Sequence, residues 1–152
     1  MSAEKPEHSV ERIVEREEDL AEIVRGMRTV AVVGIKGEDR PLEPAYTIPA
    51  MLAAQGREVI GINPTIASAL GRPTLPGVES LAAAVDVLNV FRRAEAIPAL
   101  ADQLLALPAE RRPRTVWLQS GIRHDAAAER LAQAGMRVVQ DRCLGVYARR
   151  YA

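Results

Sequence analysis

Five short apolar runs, each followed by a stretch with helical spacing, constrain this chain more than any other feature of it. Thr29–Val33, Glu58–Ile62, Asp86–Val90, Thr115–Leu118 and Arg137–Gln140 are rich in valine, isoleucine and leucine, without strict polar–apolar alternation. Strands of that kind are buried on both faces, which is the condition of a parallel sheet covered by helices. Helical spacing is read over Ala45–Gln55, near Ser80–Ala84, over Glu95–Leu107 and His124–Gln133, and in the tail from Asp141. Pro49 must then lie in a first turn, with Thr47 as N-cap. Upstream, Val10, Ile13, Val14, Leu20, Val24 and Met27 share one helical face, with Ser9 as N-cap and Gly26 near the stop. The residues before Ser9 read as frayed.

Right-handed crossovers leave few topologies for such an order of elements. The expectation is α/β: a Rossmann-like three-layer sandwich with a five-stranded parallel sheet in the order 3-2-1-4-5. One domain is expected overall, residues 1–28 forming a helix packed on a domain at 29–152. The proline-flanked stretch 108–113 reads as a polar connection, not a boundary.

Charge and cysteine content narrow the function. Lysine and arginine number 20 and so do aspartate and glutamate, so no net field draws the chain to nucleic acid or an anionic membrane. Aromatic residues are 3% of the total, too few for a base-stacking platform. The single cysteine, Cys143, cannot close an internal disulfide, and no Cys/His spacing suggests zinc. The charged N-terminus has no signal-peptide core and no apolar run reaches membrane-spanning length, so a cytoplasmic location is expected.

In a doubly wound sheet ligands sit outside the carboxyl ends of the strands. After the first strand comes Gly34-Ile35-Lys36-Gly37-Glu38-Asp39-Arg40. It is either a phosphate-approaching turn, with Lys36 and Arg40 as cations, or a tight turn needing positive φ. Its glycines miss the G-x-G-x-x-G spacing, and the second strand ends at Asn63-Pro64 where an NAD ribose calls for an acid. Asn63 either meets a ligand or closes an Asx turn. Phe91-Arg92-Arg93 after the third strand offers an apolar wall and two guanidinium forks, or surface ion pairs. Gln119-Ser120-Gly121 after the fourth has no nucleophile-elbow glycines around its serine. His124 reads as a helix-start residue, and Cys143 as a small apolar residue or a thiol facing the ligand.

Taken in order, VAVVG with Asp39-Arg40-Pro41, Asn63-Pro64 with Gly71, DVLNVFRR, VWLQSGI and VVQDRC resemble the stand-alone CoA-binding domain family, the YccU-like proteins. That family is similar to the CoA-binding domain of the succinyl-CoA synthetase alpha subunit. The resemblance runs from about Thr29 to about Tyr147. It implies a CoA site at the carboxyl edge of the sheet. Gly34, Ile35, Lys36 and Arg40 would meet the phosphates. Asn63, Pro64, Phe91, Arg92 and Arg93 would line the nucleotide, and Gln119, Ser120 and Gly121 the pantetheine arm. The phosphohistidine of the synthetase lies outside that domain, so no catalytic residue and no metal is expected here. The expected function is binding of CoA or an acyl-CoA, with no nucleic-acid or membrane partner. An NAD(P)-binding Rossmann module and a non-catalytic subunit of an acyl-CoA ligase are the alternatives, and a second copy or a protein partner is left open.

Overall fold

All five apolar runs are strands of one parallel sheet. The computed structural model describes residues 12–151. Its strands are β1 (Thr29–Val33), β2 (Glu58–Ile62), a small hairpin of β3 (Ser68–Ala69) and β4 (Arg72–Pro73), β5 (Val87–Val90), β6 (Thr115–Leu118) and β7 (Arg137–Val139). The helices are α1 (Glu17–Gly26), α2 (Pro44–Ala54), α3 (Ile97–Leu105), α4 (Asp125–Gln133) and α5 (Leu144–Tyr151). Side chains alternate between two cores, as a pleated strand requires. Val30 and Val32 of β1 pack with α1, α2 and α5, while Ala31 and Val33 pack with α3 and α4. The result is the Rossmann-like α/β sandwich that the pattern predicts.

The strand order differs from the expected one. The sheet runs β2-β1-β5-β6-β7, which is 2-1-3-4-5 when its strands are counted along the chain, not 3-2-1-4-5. The free edge of β2 is already taken. Its hairpin, turned by Leu70 and Gly71 at positive φ, returns the chain so that Leu75 donates to Gly61 O and Asn63 donates to Leu75 O. β5 is therefore placed on the other side of β1, with Val30 opposite Val87 and Val33 opposite Val90. Burial agrees: all four residues of β5 are buried, whereas β2 has an exposed Glu58 and half-buried Ile60 and Gly61.

Three local expectations are also corrected. Ser9 and Val10 lie outside the described residues, but the chain is not helical from Ile13 to Arg16. Ile13 forms a parallel bridge to Val138, Val14 donates to Val138 O, and the helix begins only at Glu17. The stretch near Ser80–Ala84 is irregular after a single 3-10 turn at Val78–Ser80. Pro49 sits inside α2, which starts at Pro44 after an extended Glu43, so Thr47 is not a cap. The carbonyl that Pro49 leaves without a helical donor, Ala45 O, accepts instead from the amide of Lys36 at 3.0 Å.

Asp86 ties the amino edge of the sheet together. Its carboxylate accepts from the amides of Arg28 (2.8 Å) and Thr29 (3.1 Å), and Arg114 stands 3.6 Å away. Partial burial pushes this carboxyl up, but the two amides, the Thr29 hydroxyl and Arg114 outweigh it and hold it below the ordinary aspartate value. A depressed folded-state value stabilises the fold above the ordinary aspartate range, and the gain is lost as pH falls through the folded one. Asp86→Asn is accordingly expected to lower stability at neutral pH by about 1–3 kcal/mol and to flatten the acid limb. Urea unfolding measured across pH checks both.

Candidate ligand-binding cleft

β1 and β5 are neighbours whose following helices depart to opposite faces, α2 to one and α3 to the other. Loops that diverge in this way open a crevice at the switch point. Here it is a cleft of about 920 Å³.

Gly34 is its hinge. The residue has φ +87°, its amide donates to Ile62 O at 2.8 Å, and a Cβ there would come within 2.5 Å of Phe91 O. Only glycine permits the β1 and β5 ends to approach so closely. The loop that follows is held from behind. Lys36 is fastened to Ala45 O as described, and Asn63 Nδ2 donates to Ile35 O at 2.8 Å. Asn63 Oδ1 accepts from both the amide and the hydroxyl of Thr65. Both ends of this buried amide are thus spent inside the protein: Asn63 closes an Asx turn and positions the loop.

The structure divides the sequence-derived site residues into two groups. Gly34, Lys36, Phe91, Arg92, Arg93, Gln119, Ser120 and Gly121 line the cleft. Ile35 is 1% exposed and packs against Gly61 in the core beneath. Arg40 points outward, paired with Glu43 at 3.1 Å and near Asp39 at 3.8 Å. Pro64 borders a smaller hollow of about 270 Å³ between β2 and α3, which Arg92 also touches.

The cleft lining carries an excess of positive charge. Four cations, Lys36, Arg92, Arg93 and Arg149, line it against two carboxylates, Glu43 and Glu95. Among the described residues nine ion pairs form, and none includes any of those four cations. The ion-pair reading of Arg92 and Arg93 therefore has no partner to support it. Helix starts converge on the same space: Pro44 and Ala45 of α2, the Ala94–Ala96 turn ahead of α3, and Cys143 before α5 all border it. Of these, α2 and α5 bring the positive end of a helix dipole, with Pro44 lacking an N–H and the Leu144 amide taken by Gln119 Oε1. Together these features suit an elongated polyanion.

The remaining wall was not legible beforehand. Arg149 belongs to the last turn of α5, and Ile48 to α2; both reach the cleft because α5 packs beside α2, where a Cβ on Gly145 would come within 2.8 Å of Ile48. The β6 and β7 ends are tied together, Asp141 at φ +55° accepting from the Gly121 amide at 2.6 Å. His124 is the N-cap of α4, its Nδ1 accepting from Ala127 at 3.1 Å, and it does not border the cleft. Among the described residues, no helix is long and apolar enough to cross a membrane.

Known proteins fit this geometry. The family model described as a CoA binding domain matches residues 28–149. YneT, an uncharacterized protein of Bacillus subtilis strain 168, is 31% identical over 128 residues, covering 84% of this chain and 90% of its own length. A solved structure from Thermus thermophilus, cell-free ID.343, is 34% identical with a TM-score of 0.81, covering 91% of this chain and 100% of that one. A hypothetical protein from Pyrococcus horikoshii OT3 shares the fold at a TM-score of 0.79 and 23% identity, over 90% and 92% of the two chains. With its family model spanning all five sheet strands and the loops that build the cleft, this chain belongs to the CoA-binding domain family.

Proposed function

We propose that this protein binds CoA, free or acylated, in the switch-point cleft and carries out no chemistry of its own. The observation that carries the reading is the set of four cations without acidic partners among the described residues, set among helix starts in a cleft of ligand size. CoA is a long molecule with phosphates at one end and a thiol-tipped pantetheine arm at the other. Lys36, Arg92 and Arg93 suit the phosphates, and the Gln119–Gly121 strand end suits the arm. An NAD reading has less support. The residue after β2 is Asn63, not an acid, and both acceptor sites of its amide oxygen are taken by Thr65, so no free acceptor remains on that side chain for ribose hydroxyls. For the absence of catalysis, the support is that among the described residues no histidine borders the cleft and that the His124 Nδ1 lone pair is spent on a backbone amide.

Thermal unfolding with CoA, acetyl-CoA, NAD and ATP tests the reading. CoA at one hundred times its dissociation constant is expected to add about 2.7 kcal/mol of stability, with NAD giving little. Arg92→Ala is expected to weaken CoA binding by about tenfold to a hundredfold, the worth of a charged hydrogen bond. An NAD shift larger than that from CoA would overturn the ligand. Saturable hydrolysis or ligation of an acyl-CoA by the pure protein would overturn the binding-only role.

A further inference from the structure

Cys143 is the chain's one thiol. It is half-buried, borders the cleft beside Gln119 and Ser120, and stands immediately before α5, its carbonyl accepting from Val146 (3.1 Å) and Tyr147 (3.3 Å). A thiol so placed is ordinarily inert packing, and the cysteine alone would indicate nothing. A second group beside it points to a ligand.

That group is the side chain of Gln119, 6% exposed. Its Oε1 accepts from the Leu144 amide at 3.2 Å and from Asn89 Nδ2 at 3.2 Å. Since both partners are donors, the oxygen end of the amide is fixed, and the NH2 end is left on the cleft side. It finds no acceptor among the described residues. The nitrogen is open to the cleft and not sealed in the core, so a carbonyl entering there can take its hydrogen bond over from water. The pantetheine arm of CoA has amide carbonyls, and its thiol lies at the end of that arm. An arm hydrogen-bonded to Gln119 ends close to the residue next to Leu144, which is Cys143. The wall there is firm, because Gly145 is packed against Ile48 and Trp117 Nε1 donates to Arg142 O at 2.9 Å.

We infer that Cys143 is an attachment point for the ligand's own sulfur, so that oxidised CoA is captured as a mixed disulfide. The inference rests on the CoA reading above. The oxidant is CoA disulfide. Cys143 gives up its proton to solvent, and its Sγ attacks one sulfur of the bound disulfide. A protein–CoA S–S bond forms as the CoA–CoA S–S bond breaks, and the departing CoA thiolate takes up a proton. One disulfide is exchanged for another, and a reducing thiol reverses the step.

The reduced wild-type protein is incubated with CoA disulfide and, separately, with oxidised glutathione, and the adduct is followed by intact mass. Attachment from CoA disulfide is expected to be at least about tenfold faster, because the cleft holds the reagent beside the thiol. It is expected to slow when excess CoA lacking its thiol fills the cleft, to reverse with reductant, and to be lost in Cys143→Ser. Equal rates with the two disulfides, or no protection by the thiol-less CoA, would mean an ordinary surface thiol and overturn the inference. A protein that CoA stabilises against heat yet that takes no adduct overturns this inference alone. One that CoA does not stabilise overturns the underlying ligand reading, and this inference with it.

Discussion

Gly34→Ala is expected to lose about 2–6 kcal/mol of stability, and CoA binding with it. Two costs combine. At φ +87° a residue with a Cβ is strained by about 1–3 kcal/mol. The new carbon would also stand 2.5 Å from Phe91 O and 2.8 Å from Arg92 Nη1, and relieving such overpacking costs about 1–3 kcal/mol more. The guanidinium can swing aside, but the Phe91 carbonyl is backbone at the end of β5. The strand ends must part, and the cleft is built on them. Gly121→Ala serves as the control. Its φ is +84°, yet nothing lies within 4 Å of a Cβ there, so only the same conformational cost of about 1–3 kcal/mol applies. Urea unfolding of both variants, with CoA titration of each, separates strain from collision. Equal losses at the two glycines would show that the approach of β1 to β5 does not matter.

The same pair of strands shows where sequence reasoning succeeds and where it stops. TVAVV and DVLNV announce themselves as buried strands because apolar, β-branched residues without alternation have few other places to go. Which strand lies beside which is a tertiary matter. The order turned on a hairpin of two-residue strands, too short for any periodicity to register, and on the edge character of β2, which Glu58 and Gly61 do signal. In the cleft, Gly34, Lys36, Arg92, Arg93 and Gln119 were legible because topology alone assigns strand ends to ligands. Arg40 and Asn63 stand at equally suitable positions in the sequence, but their partners decided their roles. Glu43 lies three residues from Arg40, a spacing that a helix-type turn brings together; Ile35 is twenty-eight residues from Asn63 and gave no such signal. Arg149 and Ile48 reach the site only because α5 folds back beside α2.

Trp117 is where fold and site are most tightly joined, and its replacement carries the other large expected effect. It lies in β6 with 0% exposure, its ring meeting Tyr147 edge-on at 5.6 Å and 66°. Trp117→Ala removes that contact and leaves a cavity, a loss of about 3–5 kcal/mol, so the variant is expected to melt far below the parent. Trp117→Phe is the more informative change. It keeps most of the buried apolar surface but has no donor for Arg142 O, which the indole holds at 2.9 Å. That carbonyl then sits unpaired beside the buried Trp117 site, at a cost of about 1–3 kcal/mol. The loop from Gln140 to Cys143 is the link between β7 and α5, and its conformation sets Leu144 against Gln119. Loosening it is expected to speed exchange of the Leu144 amide and to weaken CoA, while the Asp86 end of the sheet stays protected. Hydrogen exchange followed residue by residue, with a CoA titration alongside, reads both effects. Unchanged Leu144 protection in a Trp117→Phe protein that has nonetheless lost stability would assign the tryptophan to packing alone.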